Sequence, residues 1–199
     1  MLILYLQLKP LTSELWNSLE VSKLIVAALT PVAVAILGVW VSRYLKRVEH
    51  LQWANQKIIE KRLQIYSDLA PILNDLYCYF DYIGDWKWKD PVSALGLKRT
   101  IDRLFYVNAP LFSEDLPKHF EHFIDLCFVP GPLDEFDSTA LLKTDIQTRK
   151  EMFKKANFTW NSGWDNLFVR LKEDVTSREE IAEGYWALMN ALSQELKAK

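Results

Sequence analysis

Apolar residues fill positions 24–41, LIVAALTPVAVAILGVWV, and no charge falls between Lys23 and Arg43. As a helix this run is about 27 Å long, close to the roughly 30 Å hydrocarbon core of a bilayer. Ten of its residues are Leu, Ile or Val, which together favour insertion by roughly 3–6 kcal/mol. Pro31 and Gly38 would weaken a helix in water, yet both residue types are common in membrane helices. Trp16, Trp40 and Tyr44 fall near the two ends, where an aromatic belt sits at the interface. The competing readings are a buried core helix and a signal peptide. A signal peptide fits worse: the apolar run begins after about twenty residues, is too long, and is followed by no A-x-A site. The pattern therefore predicts a transmembrane helix over 21–44.

A different pattern follows. Between 42 and 83 there is one proline, Pro71, and no glycine. Ile59, Leu63, Tyr66, Ala70, Leu73, Tyr77 and Phe80 recur at alternating spacings of four and three. Ile65, Leu69, Ile72, Leu76 and Ile83 widen that face, and Lys61, Gln64, Asp68 and Asp75 form a narrow polar stripe. So broad an apolar face predicts a central helix covered on several sides and packed in a bundle, since it is too wide for a two-stranded coiled-coil seam. Pro71 predicts a kink, and Gly84 is the expected left-handed terminator.

Shorter helices come next. Asp90-Pro91 reads as an N-cap with proline at the first helical position, opening a helix to about Val107 that Asn108-Ala109-Pro110 ends. Ser113 is the expected cap of a helix through Leu116, Phe120, Phe123, Ile124 and Cys127. Val129-Pro130-Gly131-Pro132 is a break, and 133–145 carries no clear pattern. A helix is expected from Asp145 to about Phe158, with Arg149, Lys150, Lys154 and Lys155 as a basic face. Asn161-Ser162-Gly163 turns into another over 164–172. Ser177 and Glu180 form a capping box for a last helix through Ile181, Tyr185, Leu188, Leu192 and Leu196. No alternating strand stands out. The fold class is all-α: an N-terminal transmembrane helix continuing into a cytoplasmic helical bundle, with 1–20 as a tail or interfacial helix, 21–44 as the span and 45–199 as the helical domain.

Charge adds orientation. Arg43, Lys46 and Arg47 crowd the C-terminal end of the span, with Lys57, Lys61 and Arg62 beyond, against Lys9 and Lys23 before it. The positive-inside rule makes these the topology determinants and places the large C-terminal part in the cytoplasm. The net charge of −2 gives no global attraction to nucleic acid. Of candidate chemistry there is little. Trp86, Lys87, Trp88 and Lys89 alternate in a loop that reads first as Trp docking onto the bundle, then as a partner surface, and last as a surface on which bases stack. His119 and His122 share a helix face with Glu121 and Asp125 nearby, a spacing metal ligands use, but no further His or Cys supports a site. Cys78 and Cys127 form no CxxC pair. P-loop, G-x-S-x-G and H-E-x-x-H motifs are absent, so neither a cofactor nor catalytic residues are predicted, and the chemistry leans away from an enzyme.

NQKIIEKRLQIY (55–66), LAPILNDLYCYFDYIGDWK (69–87) and LKRTIDRLFYVNAPLFS (97–113) resemble a group of small uncharacterised bacterial membrane proteins with one N-terminal span and a helical cytoplasmic region. The resemblance covers 24–127 and transfers no catalytic residue. It implies a single-pass protein of the bacterial inner membrane. The expected function is a membrane-anchored interaction or scaffold protein that binds a protein partner or self-associates, with the lipid bilayer as its other partner. A membrane-perturbing stress or phage-defence effector, whose span oligomerises through Ala27, Ala28, Pro31, Ala33, Ala35 and Gly38, is the alternative, and an enzyme of unknown class the third.

Overall fold

In a computed structural model, residues 18–131 and 140–197 are described. The expected tail or interfacial helix over 1–20 lies almost wholly outside them, as does all of 133–139. The chain divides into two units, Met1–Asn55 and Gln56–Lys199, and each is treated by itself.

Helix α1 (Ser18–Asp81) is unbroken and continues through Pro71. In the first unit its side chains are exposed along the whole apolar run, Val41 at 45% and Trp40 at 65% marking the extremes among its large apolar residues. In the second unit its apolar face becomes a core: Ile65, Leu69, Leu73, Leu76, Tyr79 and Phe80 are all buried. The core begins later than the spacing suggested. Leu63 is 53% exposed, and Ile65 is the first apolar side chain of α1 to be fully buried. Ile83 lies beyond the helix and is also exposed.

The end of α1 differs from the sequence expectation in one residue that matters. Tyr82, rather than Gly84, takes the left-handed conformation that closes the helix, with φ 59°. The Ile83 amide then donates back to the Cys78 carbonyl at 3.1 Å, the six-to-one bond of a Schellman closure. Gly84 has φ 60° but stands two residues later.

Helices α2 (Pro91–Asn108), α3 (Leu116–Cys127), α4 (Ile146–Lys155) and α5 (Arg178–Glu195) complete the helical set. Asp90 caps α2 by accepting from the Ser93 amide at 2.7 Å. Asp145 caps α4 by accepting from the Thr148 amide at 2.7 Å, and the hydroxyl and amide of Thr148 hold its carboxyl below the usual range. Ser177 and Glu180 make the reciprocal capping box of α5. Two expectations fail. Asp115, not Ser113, precedes α3, and the Ser113 amide instead donates to Glu195. The helix expected over 164–172 is a 3-10 turn at Ser162–Leu167 followed by extended chain. That chain is drawn out because Phe168 bridges to Leu142 in parallel and the Val169 amide donates to the Leu142 carbonyl. Leu142 belongs to a strand the sequence did not announce: β1 (Phe128–Val129) pairs antiparallel with β2 (Leu141–Leu142). Two residues per strand are too few for an alternating pattern to register. The protein is mostly helical all the same.

The core of the second unit is aromatic. Phe105 stacks on Phe120 at 3.7 Å between ring centroids, Phe80 meets Phe128 edge-on at 5.7 Å, and Phe123 lies 5.9 Å from Tyr185. Helices α3 and α5 approach closely at Gly184, where a Cβ would lie 2.5 Å from Leu126 Cδ1 and 3.8 Å from the Phe123 backbone. Leu126 is a flexible tip, so Gly184→Ala should stay within about 1 kcal/mol, the helix gain of alanine offsetting the shift. Gly184→Leu meets the Phe123 backbone and should cost about 1–3 kcal/mol. Thermal unfolding of both variants checks this; equal stability would mean the helices are not in contact there.

Arg62 is anchored within this unit. Its guanidinium donates to the carbonyls of Leu111 at 2.7 Å and Glu195 at 3.0 Å and pairs with the Glu195 carboxylate. It therefore ties α1 to the turn after α2 and to the end of α5, and is withdrawn from the basic flank in which the sequence placed it.

Candidate functional site

Three features bear on function. The first is the exposed run of α1. Among the described residues this is the one helix long and apolar enough to cross a membrane. Its polar groups are satisfied locally, as a helix in hydrocarbon requires: the Thr30 hydroxyl donates to the Val26 carbonyl at 2.6 Å, and the Ser22 hydroxyl, just before the run, to that of Leu19. Trp40 and Tyr44, one turn apart, stack at 6.2 Å at its end. Arg43, Lys46 and Arg47 follow, all exposed.

The second is the Trp-Lys loop. A 3-10 turn covers Trp86–Trp88, and at three residues per turn the first and third side chains point roughly 120° apart. Trp86 is buried, its ring edge-on to Tyr82 at 5.1 Å and near Phe153 at 5.7 Å. Trp88 is 69% exposed, touching Phe158 edge-on at 5.0 Å, with the Lys87 ammonium 5.8 Å from its ring. Lys89 pairs with Asp75 at 2.8 Å. Of the four residues singled out by sequence, Trp86 is a packing residue, Lys89 is tied down, and Lys87 and Trp88 form what faces outward.

The third is a residue the sequence misassigned. Arg149 was expected on a basic helix face with Lys150, Lys154 and Lys155, but it is fully buried. Its Nη1 donates to the Tyr79 carbonyl at 2.7 Å. The rings of Tyr79 and Tyr82 cover the guanidinium at 4.0 and 4.2 Å. The Tyr79 carbonyl lies in the last turn of α1, whose end the helix dipole makes negative. The cation therefore sits where the fold supplies a carbonyl acceptor, a negative potential and two π faces. Among the described residues its Nε and Nη2, and the hydroxyls of Tyr79 and Tyr82, have no hydrogen-bond partner. Burial pushes the Tyr79 phenol up to about 12 against the opposing pull of Arg149, so it stays a neutral ring. The neighbouring Lys150 turns away and pairs with Asp165 at 2.7 Å; Lys154 and Lys155 are exposed. The basic face is thus divided by the fold.

The remaining candidates do not converge. His119 and His122 are exposed on α3, and among the described residues no three His, Cys, Asp or Glu side chains come together as a metal ion needs. Burial raises the thiol of Cys127 well above its ordinary value and raises that of Cys78, which keeps both protonated and poorly nucleophilic at neutral pH. Tyr77 stacks on Tyr185 at 4.3 Å beside the half-exposed Trp186, an aromatic cluster between α1 and α5 that sequence spacing did not single out, since its members lie more than a hundred residues apart. No protein-family model, curated protein or solved structure matches this chain.

Proposed function

We propose that this protein is a membrane-anchored helical interaction protein of the bacterial inner membrane, single-pass, with its C-terminal domain in the cytoplasm. It engages a protein partner or further copies of itself and carries no catalytic centre of its own. The observation that carries this reading is the contrast along α1. Through residues 24–41 its apolar side chains are exposed on every side, although a soluble helix would bury one face. From Ile65 onward the same helix is the buried spine of an aromatic core. An apolar surface exposed all round belongs in lipid. The basic residues Arg43, Lys46 and Arg47 at one end support the orientation.

Membrane integration is tested by alkaline carbonate extraction of native membranes. The protein is expected in the pellet, and release into the supernatant would refute the anchor. For orientation, an alkaline phosphatase fusion after Lys199 should be inactive and a green fluorescent fusion bright; strong phosphatase activity would place the domain on the other side.

A further inference from the structure

Among the described residues the part of α1 that follows the apolar run has no packing partner within its own unit, yet its sequence is not that of a solvated helix. Leu37 and Val41, at the end of the run, and then Tyr44, Val48, Leu51 and Asn55 recur at spacings of four, three, four, three and four, and the helix places Leu37, Val41, Tyr44, Val48 and Asn55 along one stripe. Tyr44 is 60% exposed, and Leu45, on the flank of the stripe, 52%. The charged residues Arg43, Lys46 and Glu49, and with them His50, fall on the opposite side of the heptad. This differs from the wide face that begins at Ile65: here the stripe is narrow, as a two-stranded seam requires.

We infer that this segment is a parallel coiled-coil stalk whose occupant is a second copy of the same chain. The inference rests on the proposed membrane anchoring, which would hold two copies parallel and at the same height, so that each seam residue meets its own counterpart. A repeat of 3.5 residues is the period at which two like helices keep their seams together. Asn55 stands at a core position of the heptad. A carboxamide both donates and accepts, so it is complementary to itself and fixes an in-register pair. The positions flanking the seam are Leu45, Arg47, Gln52 and Ala54. In register, Arg47 meets the neutral Gln52 of the second copy, and no like charges oppose each other. A seam without charge, flanked by no repulsion against itself, selects its own kind rather than a charged partner.

Disulfide cross-linking of the full chain in native membranes tests this, in a Cys78→Ser background. Facing seam positions of a parallel pair lie within disulfide reach, whereas outward positions do not. Under mild oxidation Val48→Cys is expected to give a species of twice the 23.3 kDa chain, at least five-fold more than Lys46→Cys on the outer side. Adding Asn55→Asp, which sets two carboxylates against each other in the seam, should lower that yield at least three-fold. Equal yields at positions 46 and 48, no product at 48, or a product of another mass would overturn the stalk while leaving the anchor standing. Carbonate extraction of the same membranes separates the two readings, since release of the protein would remove the anchor and the stalk with it.

Discussion

Truncating Leu73 or Leu76 to alanine is expected to destabilise the helical domain by about 2–5 kcal/mol, and Phe80 to alanine by about 3–5 kcal/mol. All three side chains are buried to within 1% of complete. Leu73 and Leu76 sit one turn apart on the spine of α1, and Phe80 meets Phe128 edge-on, so each deletion loses transfer energy and leaves a cavity among stiff aromatic neighbours. Against a total stability of about 5–15 kcal/mol for a domain, any one of them is a large loss. Asp68→Ala on the polar stripe should stay within about 0.5 kcal/mol, since Asp68 is exposed and accepts from Gln64 one turn before. Denaturation of the full chain in mild detergent, followed by tryptophan fluorescence, gives the comparison. Equal sensitivity of Leu73 and Asp68 would mean that α1 is not oriented as described.

The second large effect is expected at Arg149. Replacement by alanine should cost about 3–5 kcal/mol, combining a charge-assisted hydrogen bond to the end of α1, the cover of two tyrosine faces on a desolvated cation and the cavity left behind. Arg149→Lys should recover less than half of this, because a compact ammonium cannot lie flat between Tyr79 and Tyr82. Lys150→Ala, one position on, should cost at most about 1 kcal/mol, its pair with Asp165 being at the surface. The same denaturation experiment decides it, with Trp86 beside Tyr82 as a local reporter. If Arg149→Ala and Lys150→Ala prove alike, the buried cation contributes nothing that a solvated one does not.

These two sites show where local pattern sufficed and where it did not. The Leu69, Leu73, Leu76 and Phe80 face was legible because burial repeats with the helix itself, and a helix needs only its own spacing to reveal which side is covered. The caps at Asp90 and Ser177 were legible because each side chain bonds an amide three residues away. The apolar run over 24–41 was legible for the same reason, its character lying in eighteen consecutive residues. Arg149 was not. By spacing it belongs with three lysines, and nothing nearby in sequence says that a helix end seventy residues earlier supplies its acceptor.

Tyr82 and Gly84 make the same point from the other side. Glycine is the residue that takes a left-handed backbone without cost, so sequence assigns the helix end to Gly84. The structure puts Tyr82 there, at a cost of order 1 kcal/mol, and the Tyr82 ring then covers Arg149. Likewise β1 and β2 were invisible because pairing of two-residue strands is decided by the chain that brings them together. Sequence by itself determined the apolar segment, the starts of α2 and α5 and the buried face of α1, since each depends on residues within one or two turns of one another. Only the tertiary structure decided which basic residue is buried, which tryptophan of the loop faces solvent and how α1 ends, because each of those choices depends on contacts with distant chain whose energies exceed the local preference.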